Sequence, residues 1–354
     1  MATTTQYNPQ RDIDARLREA GASKTVYALI TPETEEMKAE AMGFNSPEGR
    51  AAFFDQFRRA WTGQQDALHE DFFDTWEQWA DRAVKFNRDA YPYHYPTAGA
   101  SEGLRHLIYD FAARGGRTVH VFRGEYEGYK SLAEAAGLTV EEHDRDNWRY
   151  DLIENDRLQA EFTGSDERMF FISQPSAIDG MVWQDFNEFV ADMAQSSVVA
   201  DVTYVGAVPE CALTTRIDLD AISIRNIVFS LSKPFGLYYD RVGGIFCRDE
   251  DGGLFGNKWF KSLTALMIGT EMMRRFGVFD FPNALAPVQE RMIEKVNRTL
   301  GLTLRAADVF LLGTSDEGGD DPLRTYLRRA GKLRVCLTPG MAQEIGTAGF
   351  VGDE

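Results

Sequence analysis

Between residues 100 and 250 the apolar positions of this chain switch repeatedly between two periods. Leu104, Leu107, Ile108 and Phe111 fall at i, i+3, i+4 and i+7, as do Phe186, Phe189, Val190 and Met193. Each set predicts the buried stripe of an amphipathic helix, and a further helix is expected from about Tyr126 to Ala136. Short apolar, β-branched runs lie between them, at Thr118–Phe122, Leu138–Glu141, Met169–Ser173, Ser197–Ala200, Ile227–Leu231 and Gly244–Cys247, and read as strands. Strand and helix repeated in this way predict an α/β fold: a mostly parallel central sheet covered by helices, with ligand groups at the strand ends.

The flanks read differently. Residues 10–90 are helical in character and rich in charge, with Phe53, Phe54, Phe57 and Trp61 on an apolar face that reads as core or subunit interface. Tyr91–Pro96 breaks that region, because proline disfavours helical geometry in the residue before it. Beyond Arg248, Asp249–Gly253 reads as a surface turn. Helices are expected over 258–275 and 285–300, followed by a strand at Asp308–Leu312, a turn at Gly313–Asp321 and the apolar stretch Lys332–Leu337. At 354 residues the chain exceeds the size at which one core stops growing. The expected division is a large domain over 47–285 and a smaller α/β part made of an N-terminal arm, 1–46, with 286–354.

Charge narrows the function classes. Asp and Glu outnumber Lys and Arg by 55 to 38, a net charge of -17, which argues against nucleic acid or an anionic membrane as partner. Cys211, Cys247 and Cys336 have neither metal-ligand spacing nor a disulfide pattern and read as small buried apolar residues. The N-terminus lacks a basic region followed by an apolar one, and no run of eighteen apolar residues occurs, so a cytoplasmic protein is expected. Neither a P-loop pattern nor a G-x-G-x-x-G after a strand is present.

The stretch Ser230-Leu231-Ser232-Lys233-Pro234-Phe235-Gly236-Leu237-Tyr238-Tyr239-Asp240-Arg241-Val242-Gly243 carries the most chemistry. A lysine among small hydroxyl residues, with an arginine eight positions on, suits pyridoxal phosphate: Lys233 to join its aldehyde carbon, Ser230 and Arg241 to hold its phosphate. Gly99, Ala100 and Ser101 open a helix and read either as a phosphate cradle or as an ordinary helix start. Asp201 closes the apolar run Val198–Ala200 and reads either as partner to the protonated ring nitrogen or as a cap of the next segment; Tyr204 follows it.

Taken in order, these residues resemble the aspartate aminotransferase superfamily, the fold type I pyridoxal phosphate enzymes, most specifically over residues 95–247. The resemblance implies that Gly99, Ala100, Ser101, Ser230 and Arg241 bind the phosphate, that Lys233 is the covalent lysine, and that Asp201 and Tyr204 meet the ring nitrogen and ring oxygen. It also implies that Tyr126 stacks on the ring and that Arg334 pairs with the substrate α-carboxylate. Lys233, Asp201 and Tyr204 would be the catalytic residues. One departure stands out: Ala177, in Ala177-Ile178-Asp179-Gly180, replaces the family asparagine that contacts the ring oxygen, unless Gln174 or Ser176 supplies that amide's role. The implied activity is an aminotransferase acting on an α-amino acid, with a keto-acid co-substrate and a homodimeric assembly. A lyase on the same fold and a non-catalytic cofactor-binding protein are the alternatives.

Overall fold

The computed structural model describes residues 9–154, 169–193 and 196–348. Its centre is a seven-stranded sheet ordered Tyr93–Thr97, Gly243–Cys247, Ile224–Ser230, Ser197–Asp201, Met169–Ser173, Thr118–Phe122, Thr139–His143. Only Gly243–Cys247 runs antiparallel to its neighbours. The other six therefore share a direction, and their carboxyl ends meet along one edge, where an open α/β sheet places its ligands.

Successive residues of each central strand serve opposite faces, and both faces are buried. Val119, Val121, Phe171, Val199, Val228 and Ile245 pack with Leu104, Leu107, Ile108 and Phe111 of the Ala100–Ala113 helix. Phe122, Phe170, Ile172, Val198, Ala200, Ile227, Phe229 and Phe246 pack on the other side against the Gln65–Ala80, Phe186–Asp192 and Leu263–Arg275 helices. Covering both faces is what makes the strands read as continuous apolar runs.

A second, four-stranded antiparallel sheet, ordered Arg305–Ala306, Leu312–Ser315, Lys332–Cys336, Arg328–Arg329, follows the long Asp280–Leu300 helix. The expected strand at 308–312 is displaced: Val309–Leu311 are buried in an irregular segment, and the strand occupies Leu312–Ser315, part of the expected turn. Those residues pair because Lys332–Cys336 offers them a ladder. The Pro92–Pro96 break contains a strand, Tyr93–Thr97. Asp251 is buried as the N-cap of the Gly252–Asn257 helix, its carboxylate accepting from the Leu254 N–H, so this segment is more than a surface turn. Cys211 is exposed, unlike Cys247 and Cys336. Phe53 and Phe57 pack against the core, whereas Phe54 and Trp61 are exposed. Among the described residues no helix is long and apolar enough to cross a membrane.

Candidate active site

Five of the shared-direction strands deliver their next residues to one place. After Thr97 the chain turns through Gly99, at φ 75, into the Ala100–Ala113 helix. A Cβ at Gly99 would lie 3.1 Å from Arg241 Nη2, so glycine lets the helix start come close against the guanidinium. Arg241 Nη2 donates to the Ala98 carbonyl at 2.9 Å, and Arg241 itself adopts the left-handed φ of 55 that a non-glycine residue seldom takes. Ser230, at the end of its strand, donates to Ser232 Oγ at 2.9 Å and accepts from the Ser232 N–H at 3.2 Å. Gly243, paired with both Thr97 and Ser230, sets the Gly99 turn beside the end of the Ser230 strand. Ala100 is half-buried and Ser101 exposed at the helix start.

Lys233 lies in the turn after Ile224–Ser230 and is half-buried. Its Nζ donates to the Val26 carbonyl at 2.8 Å, and no carboxylate pairs with it among the described residues. Burial holds its ammonium down to about 8, so a useful fraction is neutral amine near physiological pH. The Val26 segment is tied to the second sheet: Ser23 and Cys336 exchange backbone bonds, and the Thr338 hydroxyl donates to the Tyr27 carbonyl. Gly236, at φ 71, permits this crossing, because a Cβ there would meet the Leu29 carbonyl at 2.3 Å.

Asp201, also buried, accepts from the Tyr129 hydroxyl at 2.8 Å on Oδ2, and from the Thr203 N–H at 3.0 Å and hydroxyl at 2.5 Å on Oδ1. Burial nevertheless raises its carboxyl above the ordinary range. Three donors leave about one of the four acceptor positions of a carboxylate open, and a cationic donor there would favour the ionised form. Tyr204 is buried nearby; burial pushes its hydroxyl up to about 12, against the opposing pull of the Arg334 charge. Tyr126 stands at the N-terminus of the Glu127–Ala135 helix with its ring over Gly128 and edge-on to Tyr129, 5.4 Å between centroids. The residue is 42% exposed.

On the far side Arg334 projects from Lys332–Cys336, nine-tenths buried, and donates through Nη1 to the Ala177 carbonyl. Its Nε has no partner, and burial, with the Arg329 charge, lowers the guanidinium to about 10. Sequence reasoning missed what holds Ala177. Glu125, wholly buried, accepts from the Ser173 hydroxyl at 2.5 Å and the Ser173 N–H at 3.2 Å; Ser173 Oγ in turn accepts from the Ala177 N–H at 2.7 Å. Burial raises the Glu125 carboxyl to about 7. Neither suggested substitute for the family asparagine is available: the Gln174 amide is engaged with the Trp183 backbone at 3.0 and 3.1 Å, and Ser176 Oγ accepts from Arg145 at 2.8 Å. His94 is bound to Glu70 and Arg88, while Arg274 and Arg275 pair with Asp71 and Glu40 at the surface, so none of the three belongs to the site.

The sequence model of the aminotransferase class I and II family matches residues 75–304, the stretch that contains the whole central sheet and Lys233. The chain belongs to this family. The family is pyridoxal phosphate-dependent, and the residues present fit that group: the Arg241 guanidinium against the glycine turn of a helix start, a half-buried lysine with no anionic partner among the described residues, and a buried carboxylate with an acceptor position to spare. Solved structures share the fold at low identity. The Escherichia coli protein YbdL, described as having a methionine aminotransferase function, is 16% identical, with a TM-score of 0.64 over 97% of this chain and 98% of that one. An aminotransferase from Eubacterium rectale is 13% identical, with a TM-score of 0.62 over 97% and 94%. A C-S lyase from Staphylococcus hominis is 11% identical, with a TM-score of 0.57 over 78% and 77%. A comparison with curated protein sequences found no match.

Proposed function

We propose that this family member is an aminotransferase acting on an α-amino acid. The observation that carries the proposal is Arg334: a nine-tenths-buried guanidinium with an unpartnered Nε and no carboxylate paired to it among the described residues. A buried cation left in that condition is costly. A substrate α-carboxylate would relieve the cost and be oriented through charge-assisted bonds.

The remaining roles follow from placement. Gly99, Ala100, Ser101, Ser230 and Arg241 would hold the cofactor phosphate, Tyr126 would cover its ring, and Asp201 and Tyr204 would take the ring nitrogen and ring oxygen. Bound pyridoxal phosphate supplies the electron sink that weakens the bonds at the substrate α-carbon. Lys233, its amine lowered to about 8 by burial, would be the residue that joins the cofactor aldehyde, and its neutral amine could take and return a proton at the substrate α-carbon. Asp201 would supply the negative charge that keeps a bound ring nitrogen protonated, and that cation would in turn favour its ionised form. Large residues 47–285 would form the cofactor domain and 1–46 with 286–354 the smaller part, which here contributes Arg334 and Val26.

A cytoplasmic homodimer is part of the same proposal. Trp61 and Phe260 are 74% and 80% exposed, and Gln65 bridges the helical N-terminal region to the Trp259 carbonyl at 3.0 Å, so these aromatics lie on one surface that a second copy would cover. The activity is tested by single turnovers with a panel of amino acids. Transamination converts one equivalent of substrate to its keto acid, with stoichiometric loss of visible absorbance. Release of a side-chain leaving group with the absorbance restored would assign a lyase, the reading favoured by the likeness to a C-S lyase.

A further inference from the structure

The sheet edge opposite Arg241 carries a cluster that the proposed chemistry does not use. Thr118–Phe122 and the edge strand Thr139–His143 run parallel, with His120 opposite Glu141 and Phe122 opposite His143. His120 and Glu141 therefore face one side of the sheet, and His143, two residues on, faces the same side. His120 Nδ1 lies 2.9 Å from His143 Nε2 and 3.6 Å from Glu141 Oε2, and one donor atom from each of the three residues falls within 4.8 Å of the others. The imidazoles are stacked, 18° between planes, and Phe170, opposite His120 on the next strand, stacks with both. His120 is buried, His143 half-buried and Glu141 exposed, so the cluster has an apolar floor and a solvent side.

We propose that His120, Glu141 and His143 form a binding site for a divalent transition metal of the zinc type. Two imidazole nitrogens with one carboxylate oxygen suit zinc, cobalt or nickel; magnesium and calcium take oxygen ligands. A tetrahedral ion with bonds of about 2.1 Å holds its ligand atoms about 3.4 Å apart. The histidine pair needs to open by only a few tenths of an ångström, roughly the slack of one side-chain torsion, and the exposed Glu141 side chain swings to meet the ion. Each ring must present a lone pair at the facing nitrogen, so the proton now held between them moves to the other nitrogen of its own ring, a change of tautomer without net ionisation. Water fills the fourth position. The ion ties the Thr139–His143 strand to Thr118–Phe122, the one strand that pairs with it among the described residues.

The test uses the cofactor-loaded protein without an affinity tag, stripped by chelator and titrated with Zn²⁺, and with Co²⁺ as spectroscopic probe. One equivalent should bind per chain, with the d–d bands of a tetrahedral nitrogen and oxygen set and a rise in Tm. His143→Ala and His120→Gln should each weaken binding by about a hundredfold or more, and Glu141→Gln by roughly tenfold. His106→Ala, outside the cluster, should leave it unchanged. Near-ultraviolet dichroism reports folding of each variant independently of cofactor chemistry, and the more exposed His143 variant covers the case in which His120→Gln fails to fold. No stoichiometric zinc binding by the wild type, or undiminished binding in folded His143→Ala, overturns the assignment.

Discussion

The proposed phosphate side of the site takes Ser230, Lys233 and Arg241 from one short stretch of chain, whereas the substrate side assembles Glu125, Ser173 with Ala177, and Arg334 from three segments. Arg241 is exposed and bonded to a single carbonyl; Glu125 and Arg334 are buried, one a carboxyl and the other a cation, each with raised cost of ionisation. Local recognition of an anion needs loop geometry and little else. A buried charged contact needs every neighbour satisfied. Changes at Ser230 and Arg241 should therefore alter cofactor binding alone, while changes on the second side should trade binding, stability and pH dependence against one another.

The sharpest break of that comparison lies between the two sides, at Asp201. Asp201→Ala removes the charge facing the ring nitrogen, and turnover should fall by about a hundredfold or more with the cofactor still bound. Steady-state rates beside a cofactor absorbance titration decide it; unchanged turnover would mean that another group serves the ring. Next comes Arg334→Ala, expected to lower kcat/KM by roughly ten- to a hundredfold, chiefly through KM, without loss of cofactor. A fall confined to kcat would remove Arg334 from carboxylate binding.

Glu125→Gln probes the buried brace through stability. With its carboxyl raised to about 7 from the ordinary 4.5, the folded protein holds this proton more tightly than the unfolded chain does. The stabilisation is thus fully present below pH 4.5 and is lost as the pH rises towards 7, remaining flat beyond. Glu125→Gln should flatten that decline and gain on the wild type by a few kcal/mol, to order of magnitude, above neutral pH. Denaturant midpoints at pH 5 and pH 8 measure it; parallel slopes in both proteins would show that Glu125 does not titrate in this window.

The smallest effect is expected at Ala177. With Gln174 and Ser176 engaged elsewhere, Tyr204 is the remaining side chain proposed to donate to the ring oxygen. Ala177→Asn adds a donor that favours the anionic oxygen, and the visible chromophore should titrate about one pH unit lower. Identical titrations would place the compensating donor elsewhere.

How much of this could be read from the chain depends on where each partner lies. Thr118–Phe122 and Met169–Ser173 are legible to the residue because both faces are apolar. Ile224–Ser230 starts earlier than its apolar run suggests, since the half-buried Arg225 and Asn226 hide its first turn of pleat. Leu312–Ser315 has little strand character of its own and exists through its partner, Lys332–Cys336. The Thr338–Ala348 helix, with Pro339 and Gly340 in its first turn, carries too weak a helical signal to be anticipated. In the site, Ser230, Lys233 and Arg241 announce themselves by spacing. Tyr129 and Asp201, or Glu125 and Ser173, are 72 and 48 residues apart and meet only because parallel strands end together. Glu125 stands directly before Tyr126 in the sequence, but the burial that gives it its role is visible only in the structure.

The most direct test of the account is the site of covalent attachment. Cofactor-saturated protein reduced with borohydride and mapped by peptide mass should carry one phosphopyridoxyl group per chain, on the peptide that contains Lys233. A label on any other lysine, or none with pyridoxal phosphate in excess, would contradict it.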